Sequence, residues 1–307
     1  MKRWMVLLII LGNTGLFSQN TVSFLYSDSH TKSSRKKSEK IDRQVPIEIV
    51  RGMVYVEATL NGEQGNFIVD TGSPMMIVNE KPGRDQQQAQ GCSGTVAYSA
   101  TQIRQFELAG IVRNHLDALS LDISHFEDAA DREILGMIGY NVLSKYEVYF
   151  DYDNEVLKLL KPGKNHLHQE QSPLIVIPFS LADHLPVINV KIGNKTIRMG
   201  LDSGAAVNLL DQELAKNLPP SLYNPLEVET VQGLDQQIKK VHSVEMNSTQ
   251  IDGQAFTAMK YLLTDLSTIQ QDDQKKIDGL LGYPFFEKVK FSINYRNQRI
   301  YVWAIEQ

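Results

Sequence analysis

The sequence predicts an all-β chain made of two units built to one plan, on three observations. Alternating runs end in tight turns: Met53–Leu60 stops at Asn61-Gly62, and Val187–Ile192 stops at Gly193-Asn194. That is the period of a half-buried strand followed by residues that tolerate hairpin geometry. Residues 67–78, Phe-Ile-Val-Asp-Thr-Gly-Ser-Pro-Met-Met-Ile-Val, have an echo at residues 199–210, Met-Gly-Leu-Asp-Ser-Gly-Ala-Ala-Val-Asn-Leu-Leu, with Asp70 and Asp202 132 residues apart. Gly136-Met137-Ile138-Gly139-Tyr140 recurs as Gly279-Leu280-Leu281-Gly282-Tyr283.

From the start of the chain, Lys2 and Arg3 precede the apolar run Met5–Leu11. The run is too short to span a bilayer and has the order of an export signal, so residues 1–18 are expected to be a signal peptide. No cysteine lies near the expected cleavage site, which argues against a lipid anchor. Residues 19–45 read as a basic flexible segment, and a removable segment lying across an acidic cleft is the sharper alternative. Residues 46–160 form the first unit, residues 161–173 a polar linker with prolines near both ends, and residues 174–307 the second unit. His166 and His168, in the linker, read as solvated. Each unit closes on a hairpin: Val148–Tyr152 turns at Asp153-Asn154 into Val156–Leu160, and Phe291–Tyr295 turns at Arg296-Asn297 into Arg299–Trp303. Pro284 is expected to start a short helix, with Asn141–Lys145 as its counterpart.

A length of 307 residues, with 42% hydrophobic and 22% charged, leaves room for two real cores. The net charge of −5 becomes −7 without residues 1–18, and −10 from Pro46 onward once the +3 of residues 19–45 is set aside. So acidic a body is a poor partner for nucleic acid, whose binding rests on phosphate neutralisation. No later stretch approaches membrane-spanning length, and a monomer is expected. Cys92, the single cysteine, has no internal disulfide partner and reads as a plain free thiol.

The repeated elements carry the chemistry. In Asp70-Thr71-Gly72 and Asp202-Ser203-Gly204 the glycine lets the backbone turn sharply after a buried strand and leaves the aspartate at the sheet's end. The hydroxyls of Thr71 and Ser203 are placed to bond backbone across the junction. Two carboxyl groups brought together cannot both ionise cheaply, so they share a proton. One then serves as general base toward a water and the other as general acid toward the carbonyl under attack. A single such triplet is more often a surface turn or a helix cap. Two copies, each between apolar runs and each followed by an apolar-Gly-Tyr element, are hard to explain as accident. The apolar-apolar-Gly elements read as close packing at a chain crossing, without chemistry of their own.

With Ser73 and Ala205 completing the tetrads, the pair resembles aspartic proteases of the pepsin/retropepsin class, and Met137-Ile138-Gly139 and Leu280-Leu281-Gly282 resemble that class's hydrophobic-hydrophobic-Gly element. The resemblance spans about residues 46–307 and is specific at these four elements. It implies two pseudo-symmetric retropepsin-like β-barrel lobes with the active site in the cleft between them. It also implies that Asp70 and Asp202 are the catalytic dyad, that Thr71 and Ser203 interlock beneath it, and that Gly72 and Gly204 shape the loops. Ser73 is placed to bond near Asp70, whereas Ala205 offers no hydroxyl, which makes Asp70 the better holder of negative charge. The class closes its cleft with a hairpin flap, for which Gly94, Tyr98 and Gly233 are the candidates.

The function expected is an exported aspartic endopeptidase, periplasmic or extracellular, that hydrolyses extended polypeptides without cofactor or metal. No His-Glu-x-x-His, paired-cysteine cluster, Gly-x-Ser-x-Gly or phosphate-binding glycine loop points elsewhere. The alternatives are a peptide-binding or sensor protein that keeps the fold without turnover, and a structural surface protein.

Overall fold

Residues 42–90, 94–163, 165–267 and 276–306, with the backbone of Trp4–Leu7, are described by a computed structural model. The architecture is all-β, and its α-helices are short: His125–Ala130, Tyr140–Leu143, His166–Glu170, Gln212–Lys216 and Tyr283–Phe286. None is long and apolar enough to cross a membrane.

In the first half the hairpin Met53–Leu60/Glu63–Val69 turns through Asn61 and Gly62, both at positive φ. Glu63–Val69 then pairs in parallel with Ile134–Ile138, which lies antiparallel to Met76–Asn79. The path continues through Ile111–Leu121 to Thr95–Leu108, and Thr59 and Leu60 pair back onto Glu107 and Phe106. The second half repeats the core of this plan. Leu185–Ile192 pairs with Lys195–Leu201, which pairs in parallel with Gly279–Leu281, itself antiparallel to Asn208–Asp211. The halves diverge beyond it. The path of the second half runs on to the small hairpin Thr249–Ile251/Gln254–Phe256, and no pairing among the described residues closes it as Thr59 and Leu60 close the first.

Both strands that deliver the aspartates start exposed and end buried: Phe67, Ile68, Val69, Met199, Gly200 and Leu201 are all interior. With a neighbour on each side and other layers over both faces, a strand end has no solvent side, so alternation is lost there.

A six-stranded sheet joins the halves in the order Ile175–Pro178, Arg299–Ile305, Val289–Asn294, Glu147–Asp151, Val156–Leu160, Arg43–Pro46. Its central pairing crosses the chain's midpoint, with Glu147 opposite Asn294 and Phe150 opposite Phe291. Phe150, Phe291 and Phe286 stack with centroids 5.0 and 4.8 Å apart, so one hydrophobic core runs through both halves. Two boundaries read from the sequence shift here. Residues 43–45, expected to be flexible, belong to an edge strand paired with Leu157–Leu159. The expected linker contains the helix His166–Glu170, capped by Asn165.

His168 departs from the solvated reading. Its Nε2 lies 2.8 Å from the fully buried carboxylate of Glu147, which also accepts from Asn165, Ser292 and Asn294. A buried carboxylate needs such donors, and the helix supplies one. His166 pairs with Asp42 at 2.7 Å. The stretches expected to be a signal peptide and a basic flexible segment lie outside the described residues, apart from the backbone of Trp4–Leu7, which pairs in parallel with Thr230–Gly233, and residues 42–45. Cys92 lies outside them too.

Candidate active site

Asp70 and Asp202 sit at the ends of corresponding strands, and one hydrogen bond seats each. The Asp70 N–H donates to Ile138 O and the Asp202 N–H to Leu281 O, both at 3.0 Å. Ile138 and Leu281 come from the two apolar-Gly elements. Each following glycine meets the chain just after the aspartate motif of its own half: a Cβ on Gly139 would lie 2.3 Å from Met75 O, and one on Gly282 2.4 Å from Ala205 O. These elements are therefore close-packed crossings that hold the aspartate loops. The turn into each short helix is tied down as well, Tyr140 N–H donating to Ser73 O and Tyr283 N–H to Ala205 O.

Below the aspartates the loops interlock through four buried hydrogen bonds. Thr71 N–H donates to Ser203 Oγ at 3.0 Å, and Ser203 N–H to Thr71 Oγ1 at 2.9 Å. The Thr71 hydroxyl donates to Leu201 O, and the Ser203 hydroxyl to Val69 O. Each hydroxyl thus accepts from the opposite loop and donates to the opposite strand, so neither half completes the junction alone.

The glycines let the carboxyl groups meet. A methyl on Gly72 would stand 2.6 Å from the Asp202 carboxyl, and one on Gly204 2.7 Å from that of Asp70. The two carboxyl groups are in hydrogen-bond contact, and both residues are 1% exposed. Their surroundings differ. Asp70 Oδ1 accepts from Gly72 N–H at 2.8 Å and Ser73 N–H at 3.1 Å, while Asp202 Oδ1 accepts from Gly204 N–H at 2.9 Å. Asp202 Oδ2 is buried and accepts from no N–H or hydroxyl among the described residues. Burial pushes the Asp70 carboxyl up to about 6, against the Asp202 hydrogen bond and the two loop N–H groups that hold it down. Burial, then the Asp70 charge beside it, pushes Asp202 further. Two buried carboxyl groups this close share a proton, and two loop N–H donors on Asp70 against one on Asp202 favour the negative charge on Asp70.

The Ser73 hydroxyl is not part of this. It donates to Met75 O at 2.8 Å, and it is the Ser73 backbone that reaches Asp70. Gly200, unexpected in a core strand, is explained by crowding: a Cβ there would lie 2.5 Å from Leu185 and 2.7 Å from Leu280. That constraint comes from two chain-distant residues and leaves no local signal.

Two hairpins, one from each half, meet. Gln87–Gln90 pairs with Thr95–Tyr98, and Tyr223–Gly233 with Ile238–Met246. A Cβ on Gly94 would touch the Gln237 amide at 2.5 Å, so the hairpin ends are in contact. Gly233 O lies 3.2 Å from His125 Nε2 of the first half. Leu234, 3% exposed, enters an apolar cluster with Val96, Tyr98 and Ala206. Tyr98 is buried there, its hydroxyl on Gln87 Oε1 at 2.9 Å. Sequence reasoning missed His125 and the anchoring contacts of Leu234, which run across the halves. It also missed His184, whose Nε2 lies 2.7 Å from Gly72 O.

No curated protein matches the chain. The sequence profile described as aspartyl protease matches residues 56–142 and 188–285, which cover both aspartate loops, both apolar-Gly elements and well over half the chain. The chain belongs to the aspartyl protease family.

Proposed function

We propose that this aspartyl protease is an exported, monomeric endopeptidase in which two retropepsin-like β-barrel lobes hold Asp70 and Asp202 as the catalytic dyad. The observation that carries the reading is the pair itself: two carboxyl groups in contact, pressed together by Gly72 and Gly204 and fixed by the Thr71–Ser203 interlock. Asp70, as base, takes a proton from a water whose oxygen attacks the peptide carbonyl carbon. Asp202 gives its proton to the carbonyl oxygen, forming a tetrahedral diol. Asp70 then passes the proton it took from water to the nitrogen, the C–N bond breaks as a diol hydroxyl returns a proton to Asp202, and a carboxyl and an amine leave with the pair restored. Neither metal nor covalent intermediate enters these steps.

An extended polypeptide adds as a strand between the hairpins, held by backbone hydrogen bonds, with its side chains in alternate pockets. Because both aspartates are covered, the hairpin around Leu234 has to lift before a substrate enters. Export from the cytoplasm is part of the proposal and rests on the order of residues 1–18.

The test is digestion of a mixed peptide library by the purified protein, beside Asp70→Asn and Asp202→Asn. Cuts made by wild type and absent from both variants support the reading. A well-folded wild type that binds peptides without cutting favours the binding-protein alternative.

A further inference from the structure

His184 is a buried imidazole that the proposed chemistry does not use. It sits in the turn between Ser180–Ala182 and Leu185–Ile192, after Asp183 at positive φ, and is 7% exposed. It belongs to the second half, yet its Nε2 lies 2.7 Å from the carbonyl oxygen of Gly72 in the first. A carbonyl only accepts, so Nε2 carries the hydrogen. The groups facing the ring are Asp183 on its own turn and Tyr140, whose ring centroid is 6.4 Å away, from the first half.

The bonded carbonyl is half of the Gly72–Ser73 peptide. The other half is the Ser73 N–H, which donates to Asp70 Oδ1 at 3.1 Å. Imidazole, peptide and carboxylate therefore form one chain of donors. A hydrogen bond accepted at a peptide oxygen polarises that peptide and strengthens its N–H as a donor. The second half lacks the device. The position 132 residues before His184 is Gly52, which has no side chain and packs against Tyr283, where a Cβ would stand 3.1 Å away. In that half the Ala205 N–H goes to the Asp202 main-chain oxygen at 3.1 Å and not to its carboxyl.

We propose that His184 is a positioning residue for the catalytic pair: by donating to Gly72 O it polarises the Gly72–Ser73 peptide and so keeps the negative charge on Asp70 and the proton on Asp202. The inference rests on the reading of Asp70 and Asp202 as the dyad. Burial holds the imidazole below its ordinary range, so near neutral pH it is a neutral donor and adds no charge of its own.

The experiment follows Asp70 by carboxyl 13C NMR and His184 by ring 15N NMR in the whole protein, alongside the pH dependence of kcat/KM. In wild type, His184 Nε2 and Asp70 should respond with one midpoint. His184→Met fills the space without a donor. It should raise the Asp70 midpoint and the acid limb together by about half a pH unit, which is about a threefold loss of rate below that limb. His184→Gln, whose amide reaches Gly72 O, should stay near wild type. A folded His184→Met with an unmoved Asp70 midpoint overturns the inference. Should that variant not fold, a wild-type His184 signal that ignores the Asp70 titration overturns it equally. Coupled titration in a protein that cuts no peptide supports the relay while removing the protease reading, so the two fail separately.

Discussion

Two carboxyl groups pressed together in the interior work against the fold at neutral pH. Both are held above their unfolded range, Asp70 at about 6 and Asp202 well above its ordinary value. A carboxyl raised on folding contributes stability in full below its unfolded value and loses it as pH rises through its folded value. The protein should therefore melt highest near pH 4 and lose stability upward through pH 6, on the order of 2–3 kcal/mol for Asp70 alone. Asp202→Asn removes the second titrating group, so it should abolish the part of the fall that belongs to Asp202, keep the burial-driven fall of Asp70, and abolish cleavage; thermal melts from pH 4 to 8 check this, and an unchanged slope across the whole range would contradict the charge assignment. The interlock gives the opposite kind of residue effect. Thr71→Ala strips two buried bonds and leaves Ser203 N–H and Leu201 O unsatisfied, which should cost about 2–4 kcal/mol as well as activity. A denaturant melt with an unmoved midpoint would mean that the loops are held by something else.

At the scale of elements, the hairpin Tyr223–Gly233/Ile238–Met246 is the piece that the proposed mechanism moves. Leu234 → Ala removes the apolar anchor from the cluster with Val96, Tyr98 and Ala206. Amide exchange should then quicken across residues 231–237 and at residues 95–98, with little change in the six-stranded sheet, and KM should change more than kcat. Uniform exchange across the molecule would show that the hairpin is not a separate lid. The elements were legible in proportion to how local their causes are. The hairpins of Asn61-Gly62 and Gly193-Asn194 announce themselves because turn chemistry and alternation lie within a few residues of each other. The aspartate loops were legible because they occur twice. Gly200, Leu234 and His184 were not, since what each touches lies in a distant part of the chain or in the opposite half. The Ser73 hydroxyl misled for a local reason: Met75 O, two residues on, takes it.

For the whole molecule, the shared sheet makes the halves one folding unit. Glu147 is buried at its centre with donors from Asn165 and His168 on one side and from Ser292 and Asn294 on the other. Glu147→Ala leaves all four without their acceptor and should cost about 3–5 kcal/mol, lowering the melt without altering the pH profile of the remaining folded protein. Either half expressed alone should stay unfolded, because each contributes half of the sheet and half of the Thr71–Ser203 interlock. Cooperative melting of an isolated half would refute that.

The shared-proton mechanism itself is tested most directly by the pH dependence of kcat/KM for a cleaved peptide, with Asp202→Asn alongside. It predicts a bell whose acid limb lies near 6, where Asp70 takes up its proton, and whose alkaline limb marks loss of the proton from Asp202. Asp202→Asn should be inactive at every pH. A flat profile, or cleavage that survives the substitution, would contradict it.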